Sequence, residues 1–284
     1  MFSIVKNYKI FFSITIIFLL IGFGSIVTRG FNLGIDFTGG SIVDLTFENP
    51  VNVAQVRDVL KEHDMGNSII QLENSDGKTE ANSVLIRTGV VEDTELRATM
   101  NDLQSKLGNY QIQRVEQVGA TIGSELVQQA AMAIVLSWVL MIAYITFRFE
   151  FKFAIAAIIA LIIDVLVVLS YFSLFQMEMD SSFVAALLTV VGYSDDRIRE
   201  NLKIHRRSES LGEMVDNSIW QCMTRTIYTV ATSLFAIVSI FLFGGETIHN
   251  FSFAMLVGFA SGAYTSIFLA GPMWMFLKNK KIGI

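Results

Sequence analysis

Three ionisable side chains lie in or beside long apolar stretches of this 284-residue chain, where such groups are rare and often functional. Asp164 interrupts an otherwise uncharged stretch from Phe153 to Met177, and Arg225 directly precedes another. Asp195 follows only fourteen uncharged residues. A carboxyl group can take up and release a proton, and a guanidinium group can pair with its charged form. Because ionisable residues in membrane spans are rare, all three are candidate functional residues.

Asp164 shares one face of its predicted helix with Ala156 and Ala160, which precede it at intervals of four residues. Small residues on this face allow a second helix to approach closely. A carboxyl group in apolar surroundings favours its neutral form. Two interpretations remain open: Asp164 transfers protons, or it is a neutral residue that hydrogen-bonds a neighbouring helix for structural reasons.

Arg225 begins a polar stripe that continues into the apolar run after it. The other members of the stripe, all on one helix face, are Thr229, Thr232, Ser233 and Ala236. Such a stripe could line a hydrated path or pack against another helix. An arginine at the end of a span is also a common anchor, whose charged group reaches the membrane surface.

The sequence shows no pattern typical of an enzyme, and it predicts no bound cofactor and no metal ion. Its single cysteine, Cys222, excludes an internal disulfide and a cysteine-based metal cluster. His63 stands between Glu62 and Asp64, but consecutive helical residues do not converge on one ion, so we expect an exposed surface histidine. The basic residues around 197–207 are explained by membrane topology rather than by nucleic-acid binding.

The apolar stretches predict an α-helical polytopic membrane protein, because the mean hydropathy is +0.53 and 52% of the residues are hydrophobic. The first stretch follows Lys6 and Lys9 but lacks a good cleavage site, so we expect a retained anchor rather than a signal peptide. The six predicted transmembrane helices span 10–28, 126–147, 153–175, 181–196, 225–245 and 250–277.

The fourth predicted helix is short. Its fourteen uncharged residues, from Ser181 to Ser194, reach about 21 Å at the rise of an α-helix. The apolar core of a bilayer is about 30 Å thick. Charge nevertheless requires a crossing here, since otherwise the five basic residues between 197 and 207 would face outside.

The distribution of charged residues also predicts the orientation of the chain in the membrane. The region from Gly30 to Glu125 has fifteen acidic and seven basic residues, whereas the other short segments next to the spans are mostly basic. Because basic segments remain in the cytoplasm, we expect residues 29–125 outside. The segments 1–9, 197–224 and 278–284 are expected inside, so both termini are cytoplasmic.

Residues from about 40 to 118 predict a small α+β domain between the first and second spans. Ser41–Glu48 alternates apolar and polar residues as a half-buried strand does, and Asn52 is placed to cap a following helix. Two short strands, a second helix ending near Gly108 and a final strand follow. The order β-α-β-β-α-β is that of the ferredoxin-like unit.

The sixth span contains small residues at strict intervals of four. Gly258 and Gly262 lie at the centre of this ridge, between Ala254 and Ser266, and Ala270 ends it. Such ridges allow backbones to pack tightly, so Gly258 and Gly262 are predicted to serve helix packing rather than chemistry.

Several motifs resemble those of the SecD/SecF family of the bacterial Sec export machinery, and in particular its SecF subunits, relatives of the resistance-nodulation-division transporters. The most specific motif, GIDFTGG, comprises Gly34, Ile35, Asp36, Phe37, Thr38, Gly39 and Gly40. The other similar segments are Val118–Leu126 (VGATIGSEL), Asp164–Leu166 (DVL), Val190–Ser194 (VVGYS), Asp196–Asn201 (DRIREN) and Thr224–Thr229 (TRTIYT).

The resemblance implies an auxiliary translocase subunit in the inner membrane that works with SecD beside the SecYEG channel, with SecA and YajC as further partners. Unfolded preproteins would be its clients, and membrane lipid would surround it. Members of the family are thought to use proton flow, through an Asp of the fourth span and an Arg that matches Arg225.

The chain departs from the family pattern in the fourth span. About seven residues that usually follow the GYS motif are absent, and they would add about 10 Å of helix. Asp195 is therefore an incomplete match to the family's intramembrane Asp. Two alternatives remain: a small-molecule exporter, which one six-span half with one small domain disfavours, and a structural membrane scaffold without proton coupling.

Overall fold

A computed structural model describes residues 3–73, 79–148, 151–201 and 211–279. The chain divides into two compact units. The helical unit comprises Met1–Asn32 and Ala130–Ile284, and the α/β unit comprises Leu33–Gln129. In chain order the elements are α1 (Tyr8–Arg29), β1 (Asn32–Leu33), α2 (Ile35–Thr38), β2 (Gly40–Asn52), α3 (Val53–Glu62), β3 (Ile69–Glu73), β4 (Glu80–Thr88), α4 (Asp93–Leu107), β5 (Tyr110–Val118), α5 (Ala120–Arg148), α6 (Phe151–Phe175), β6 (Glu178–Met179), α7 (Ser181–Asn201), α8 (Leu211–Phe243), α9 (Gly245–Thr265), a π-helical segment (Ser266–Ala270) and α10 (Gly271–Asn279).

Within the described residues, five helices have the length and apolar character needed to cross a bilayer. The helix from Ser181 to Val191 is apolar but shorter. It forms the first part of α7, which continues as a helix of 21 residues in all. The five candidate spans are Tyr8–Arg29, Thr121–Phe147, Phe151–Phe175, Met223–Phe243 and Ile248–Lys278.

Small residues hold the helices of the helical unit close together. On α6, Ala156, Ala157 and Ala160 are completely buried. A Cβ atom added to Gly22 of α1 would lie 2.0 Å from the Ser170 hydroxyl of α6, so these two helices touch at backbone distance.

The glycine ridge of α9 packs against α7. A Cβ atom added to Gly258 would lie 2.2 Å from a methyl group of Val190, and Val190 is itself fully buried. Gly262 is buried one helical turn further along. One face of the short apolar part of α7 is therefore buried against neighbouring helices.

Helix α8 begins well before the predicted fifth span. Residues 211–224 were expected within a cytoplasmic loop, but they form the first turns of a 33-residue helix. Val215 and Ile219 are buried there in one cluster with Ile4 and Trp274. Apolar residues at an interval of four give this segment a helical face that can pack, which explains the early start.

The α/β unit has a four-stranded antiparallel sheet with strand order β3-β4-β2-β5. The central strand β2 pairs with β4 in the register Val43 opposite Ile86, and on its other side with β5. Helices α3 and α4 share a buried core with the sheet through Leu60 and Leu103. The elements from β2 to β5 follow the order β-α-β-β-α-β.

Local sequence signals account for much of this unit. The Asn52 side chain accepts a hydrogen bond from the Gln55 backbone N–H at 2.9 Å, and the Gln55 side chain accepts one from the Asn52 N–H at 3.0 Å. This reciprocal capping box satisfies two amide groups that a helix leaves open at its start. The capping role predicted for Asn52 is confirmed.

The expectation of an exposed His63 was wrong. Its Nε2 atom lies 2.8 Å from an Asp102 carboxylate oxygen, and only 19% of the side chain is exposed. The contact arises because the end of α3 packs beside α4. Glu62 forms a second link, to Lys106, and this hydrogen bond raises the pKa of Lys106.

The contact between Gly258 and Val190 leads to a prediction about the stability of the protein. Gly258→Ala forces a methyl group against Val190, and such overpacking costs about 1–3 kcal/mol. We expect a lower melting temperature for the purified protein, measured by tryptophan fluorescence. Gly24→Ala in α1 is the control, because a Cβ atom there meets nothing within 4 Å. Equal melting temperatures for both variants would contradict the packing role; Val190→Ala should partly restore Gly258→Ala.

Candidate functional site

The carboxyl group of Asp164 is completely buried at the middle of α6. The small residues that precede it at intervals of four, Ala156 and Ala160, are buried on the same face. They bring the backbone of a neighbouring helix close enough for short side chains to reach the carboxyl group. The predicted face of α6, which carries Ala156, Ala160 and Asp164, is thus present and is buried in the helical unit.

Two hydroxyl groups of α9 hold this carboxyl group. Ser261 Oγ donates to Asp164 Oδ1 at 2.7 Å. Thr265 Oγ1 lies 2.9 Å from Oδ1 and 3.0 Å from Oδ2. A hydroxyl can donate to a carboxylate or accept from a protonated carboxyl group. The site can therefore retain partners in both protonation states, which is what a reversible proton carrier requires.

An irregular piece of helix starts at this site. Thr265 is the last residue of α9, and the π-helical segment Ser266–Ala270 follows it directly. Thr265 Oγ1 also lies 3.3 Å from the carbonyl of Gly262 in the preceding turn. Such π-helical segments are rare in proteins. Those that occur are often found at functional sites, because their wider turn changes the direction of side chains.

Arg225 and its stripe lie on the exposed side of α8. Arg225, Thr229 and Thr232 are exposed, whereas Thr226 and Val230 on the other side are buried. The stripe's hydroxyl groups donate to carbonyl groups of their own helix: Thr229 to Arg225 at 2.8 Å, Thr232 to Tyr228 at 3.0 Å and Ser233 to Thr229 at 2.9 Å. The stripe therefore faces away from the core of the helical unit.

Asp195, the third candidate, belongs to α7. Its side chain lies outside the described residues. Asp164 and the exposed stripe of Arg225 thus lie on different helices, α6 and α8.

The motif Gly34–Gly40 forms a tight turn whose glycines are required by geometry. Residues 35–38 of the motif form one short helical turn, α2. Gly39 and Gly40 have φ angles of +71° and +136°, which favour glycine. A Cβ atom on Gly40 would also lie 2.3 Å from the carbonyl oxygen of Thr88.

This turn packs against the start of α5. A Cβ atom on Gly123 would lie 3.0 Å from the carbonyl oxygen of Phe37 and 3.1 Å from the backbone nitrogen of Gly39. Glycine lets the helix approach the turn this closely without displacing its backbone. Gly123 lies in the VGATIGSEL segment, so two motifs that are far apart in sequence meet here.

Sequence reasoning missed Ser261, Thr265 and Gly123. The signal for the first two was available, since hydroxyl residues at an interval of four share one face of the sixth span, beside the glycine ridge. Among the residues that the structure describes, no group of three or more His, Cys, Asp or Glu side chains could hold a metal ion.

Comparison with known proteins gives the family. Residues 99–280 match the family model described as protein export membrane protein SecD/SecF, C-terminal, and residues 24–51 match the SecD/SecF GG motif. The protein translocase subunit SecF of Acidaminococcus fermentans is 63% identical, with 98% of each chain covered. That of Sebaldella termitidis is 37% identical over 98% of this chain and 92% of its own.

Comparison with solved structures leads to the same family. The crystal structure of SecDF, a translocon-associated membrane protein from Thermus thermophilus, matches with a TM-score of 0.84 and 31% identity. A crystal structure of SecDF in a super-membrane-facing form matches with a TM-score of 0.68. The match covers 98% of this chain but 39% of the SecDF chain. With its apolar helices and its full-length SecF relatives, this chain belongs to the SecD/SecF family of protein-export membrane proteins.

Proposed function

We propose that this chain is a non-enzymatic auxiliary subunit of the Sec protein translocase, which promotes preprotein export by using the proton gradient. The observation that carries the proposal is the buried carboxyl group of Asp164, held by Ser261 and Thr265 of another helix. A scaffold without proton coupling could use an uncharged hydrogen-bonding side chain at this position, whereas ionisable groups are costly inside a membrane.

The two protonation states of Asp164 favour different arrangements of α6 and α9. When ionised, the carboxylate accepts all the contacts from the two hydroxyl groups. When protonated, it carries an O–H group of its own, so one hydroxyl must turn from donor to acceptor. A difference of this kind shifts the balance between two helix arrangements. Such a shift between the helices would change the position of the π-helical segment after Thr265.

Arg225 and its exposed stripe form the second part of the proposed proton path. Because the stripe faces out of the helical unit, we propose that it meets SecD. The name of the structural neighbour SecDF supports this association, since this chain corresponds to only 39% of that protein. Asp195 remains the candidate for the fourth-span Asp of the family.

The proposed topology has six crossings of the bacterial inner membrane, with both termini in the cytoplasm. The buried packing of α7 against the Gly258 ridge supports its crossing. The α/β unit would then lie outside the cytoplasm. Its strand order, β3-β4-β2-β5, supports a ferredoxin-like fold. SecYEG, SecA and YajC are the further partners proposed, and unfolded preproteins are the clients.

Replacing Asp164 tests the proton role. Asp164→Asn keeps a side chain of similar shape that still accepts hydrogen bonds, but it removes the titrating proton. The assay is preprotein import into inverted inner-membrane vesicles that contain this chain, SecD and SecYEG. We expect ATP-driven import to be unchanged and the extra import driven by a proton gradient to be lost. Gradient-driven import at the normal level would refute the role of Asp164.

The hydroxyl partners should show the same effect in part. Ser261→Ala and Thr265→Val each leave Asp164 with fewer donors, so we expect partial loss of gradient-driven import. Ser239→Ala is the matched control, since its exposed hydroxyl donates only within α8, to Phe235 at 2.8 Å. An equal loss in this control would show that the effect is unspecific.

Arg225→Met separates a functional arginine from an anchoring one. In the same vesicles we expect gradient-driven import to be abolished, with normal amounts of assembled protein measured by immunoblotting. Lys9→Met, which removes an exposed charge from the start of α1, is the control and should retain import. If Arg225→Met retains gradient-driven import as Lys9→Met does, Arg225 is an anchor only.

Gly123 tests the contact between the two motifs. Gly123→Val would drive a side chain into the backbone of Phe37 and Gly39, so we expect reduced import with and without a proton gradient. Gly119→Ala should be tolerated, because a Cβ atom there meets nothing within 4 Å. Normal import by Gly123→Val would show that the close approach is not required.

A further inference from the structure

An elongated cavity of about 550 Å³ lies in the helical unit between α1, α6 and α9. Its volume is within the range of about 300–1,000 Å³ that is usual for small-molecule sites. Neither the Asp164 contacts nor the Arg225 stripe accounts for it. Its inner end includes Ser261 and Thr265, the two residues that hold Asp164.

The cavity extends along one leaflet of the membrane. Helix α6 contributes Ile163, Val167, Tyr171 and Phe175, which recur at intervals of four and therefore form a single stripe. From the first to the last, the stripe rises about 18 Å. Half of a bilayer's apolar core is about 15 Å thick. The cavity thus runs from the level of Asp164 to the end of α6 at Phe175.

The outer end of the cavity lies on the side of the membrane where α1 ends. The side chain of Asn32, just after α1, donates to the carbonyl of Gln176, just after α6, at 3.0 Å. The exposed residues Phe175 and His249 lie at this end of the cavity. Under the proposed topology, this is the outer leaflet.

The size of the cavity suits a hydrocarbon chain. Its volume of about 550 Å³ extends over about 18 Å along α6, a length that one extended acyl chain can fill.

The walls favour an apolar occupant. Aromatic rings line much of the cavity, with Phe18 and Tyr171 only 5.0 Å apart between ring centres. Thr15 and Tyr264 donate their hydroxyl groups to the carbonyl of Phe11, at 3.0 and 2.9 Å. Since Ser261 and Thr265 donate to Asp164, these four hydroxyl groups already have partners within the chain.

We propose that this cavity binds one acyl chain of a membrane phospholipid, from the leaflet on the side where α1 ends. The headgroup would lie near His249, and the end of the acyl chain would reach Ser261 and Thr265. An acyl chain in this position excludes water from the hydroxyl pair that holds Asp164. Lipid would thereby be part of the proposed proton site rather than only its solvent.

Photolabelling tests the site. The full chain is reconstituted into vesicles of phosphatidylethanolamine and phosphatidylglycerol, with a trace of phosphatidylethanolamine that carries a diazirine at the end of one acyl chain. After irradiation, labelled peptides are identified by mass spectrometry. We expect concentrated labelling around Ile163 and Ser261, above that of Leu140, an exposed residue of α5.

Two variants that fill the cavity make the test specific. Val167→Phe narrows its middle and Ala260→Phe narrows its exposed edge, so each should abolish the labelling of Ile163 and Ser261. The labelling of Leu140 should not change. If Val167→Phe does not fold, as judged by its melting temperature, Ala260→Phe decides.

Three results would overturn the proposal. The first is labelling of Ile163 and Ser261 no stronger than that of Leu140, which would show bulk lipid only. The second is labelling that persists in both filled variants. The third is a loss of labelling when SecD is reconstituted with the chain, which would identify a partner protein as the occupant. Because none of these readouts uses export, failure here leaves the proton role of Asp164 untouched.

Discussion

The hydrogen bonds between Asp164 and the two hydroxyl groups of α9 are the interaction on which the rest of the helical unit depends. A carboxyl group without partners in the middle of a membrane span would be strongly destabilising. Ser261 and Thr265 remove that cost only if α6 and α9 approach closely. The small residues of both helices make this approach possible, and they fix where the bundle is tightest.

The same requirement for close approach recurs at several of the SecD/SecF motifs. Gly258 brings α9 against Val190 of α7, and Gly123 brings α5 against the turn that contains Gly39. A single added carbon atom would collide with Val190 at Gly258 and would crowd the backbone of the turn at Gly123. The glycines therefore act through geometry, while the proposed proton chemistry rests on a few ionisable residues.

Sequence patterns predicted part of this arrangement. The spacing of Ala156, Ala160 and Asp164 correctly placed the carboxyl group on a packed face, and the capping role of Asn52 was confirmed. The partners of Asp164 were missed because they lie about one hundred residues away, and spacing along a helix cannot indicate which helix will face it. His63 was misjudged for the same reason, since Asp102 lies on another helix. The early start of α8 depends on burial against Ile4 and Trp274, which are also distant in sequence.

Infrared spectroscopy of the purified protein in a bilayer tests the central claim most directly. If Asp164 carries a proton reversibly, a carbonyl band of a protonated carboxyl group should appear and disappear as the pH is varied. The band should be absent in Asp164→Asn and shifted in Thr265→Val, because the hydroxyl group of Thr265 alters the carbonyl bond. A spectrum that is the same in Asp164→Asn and in the unmodified protein at every pH would contradict the account.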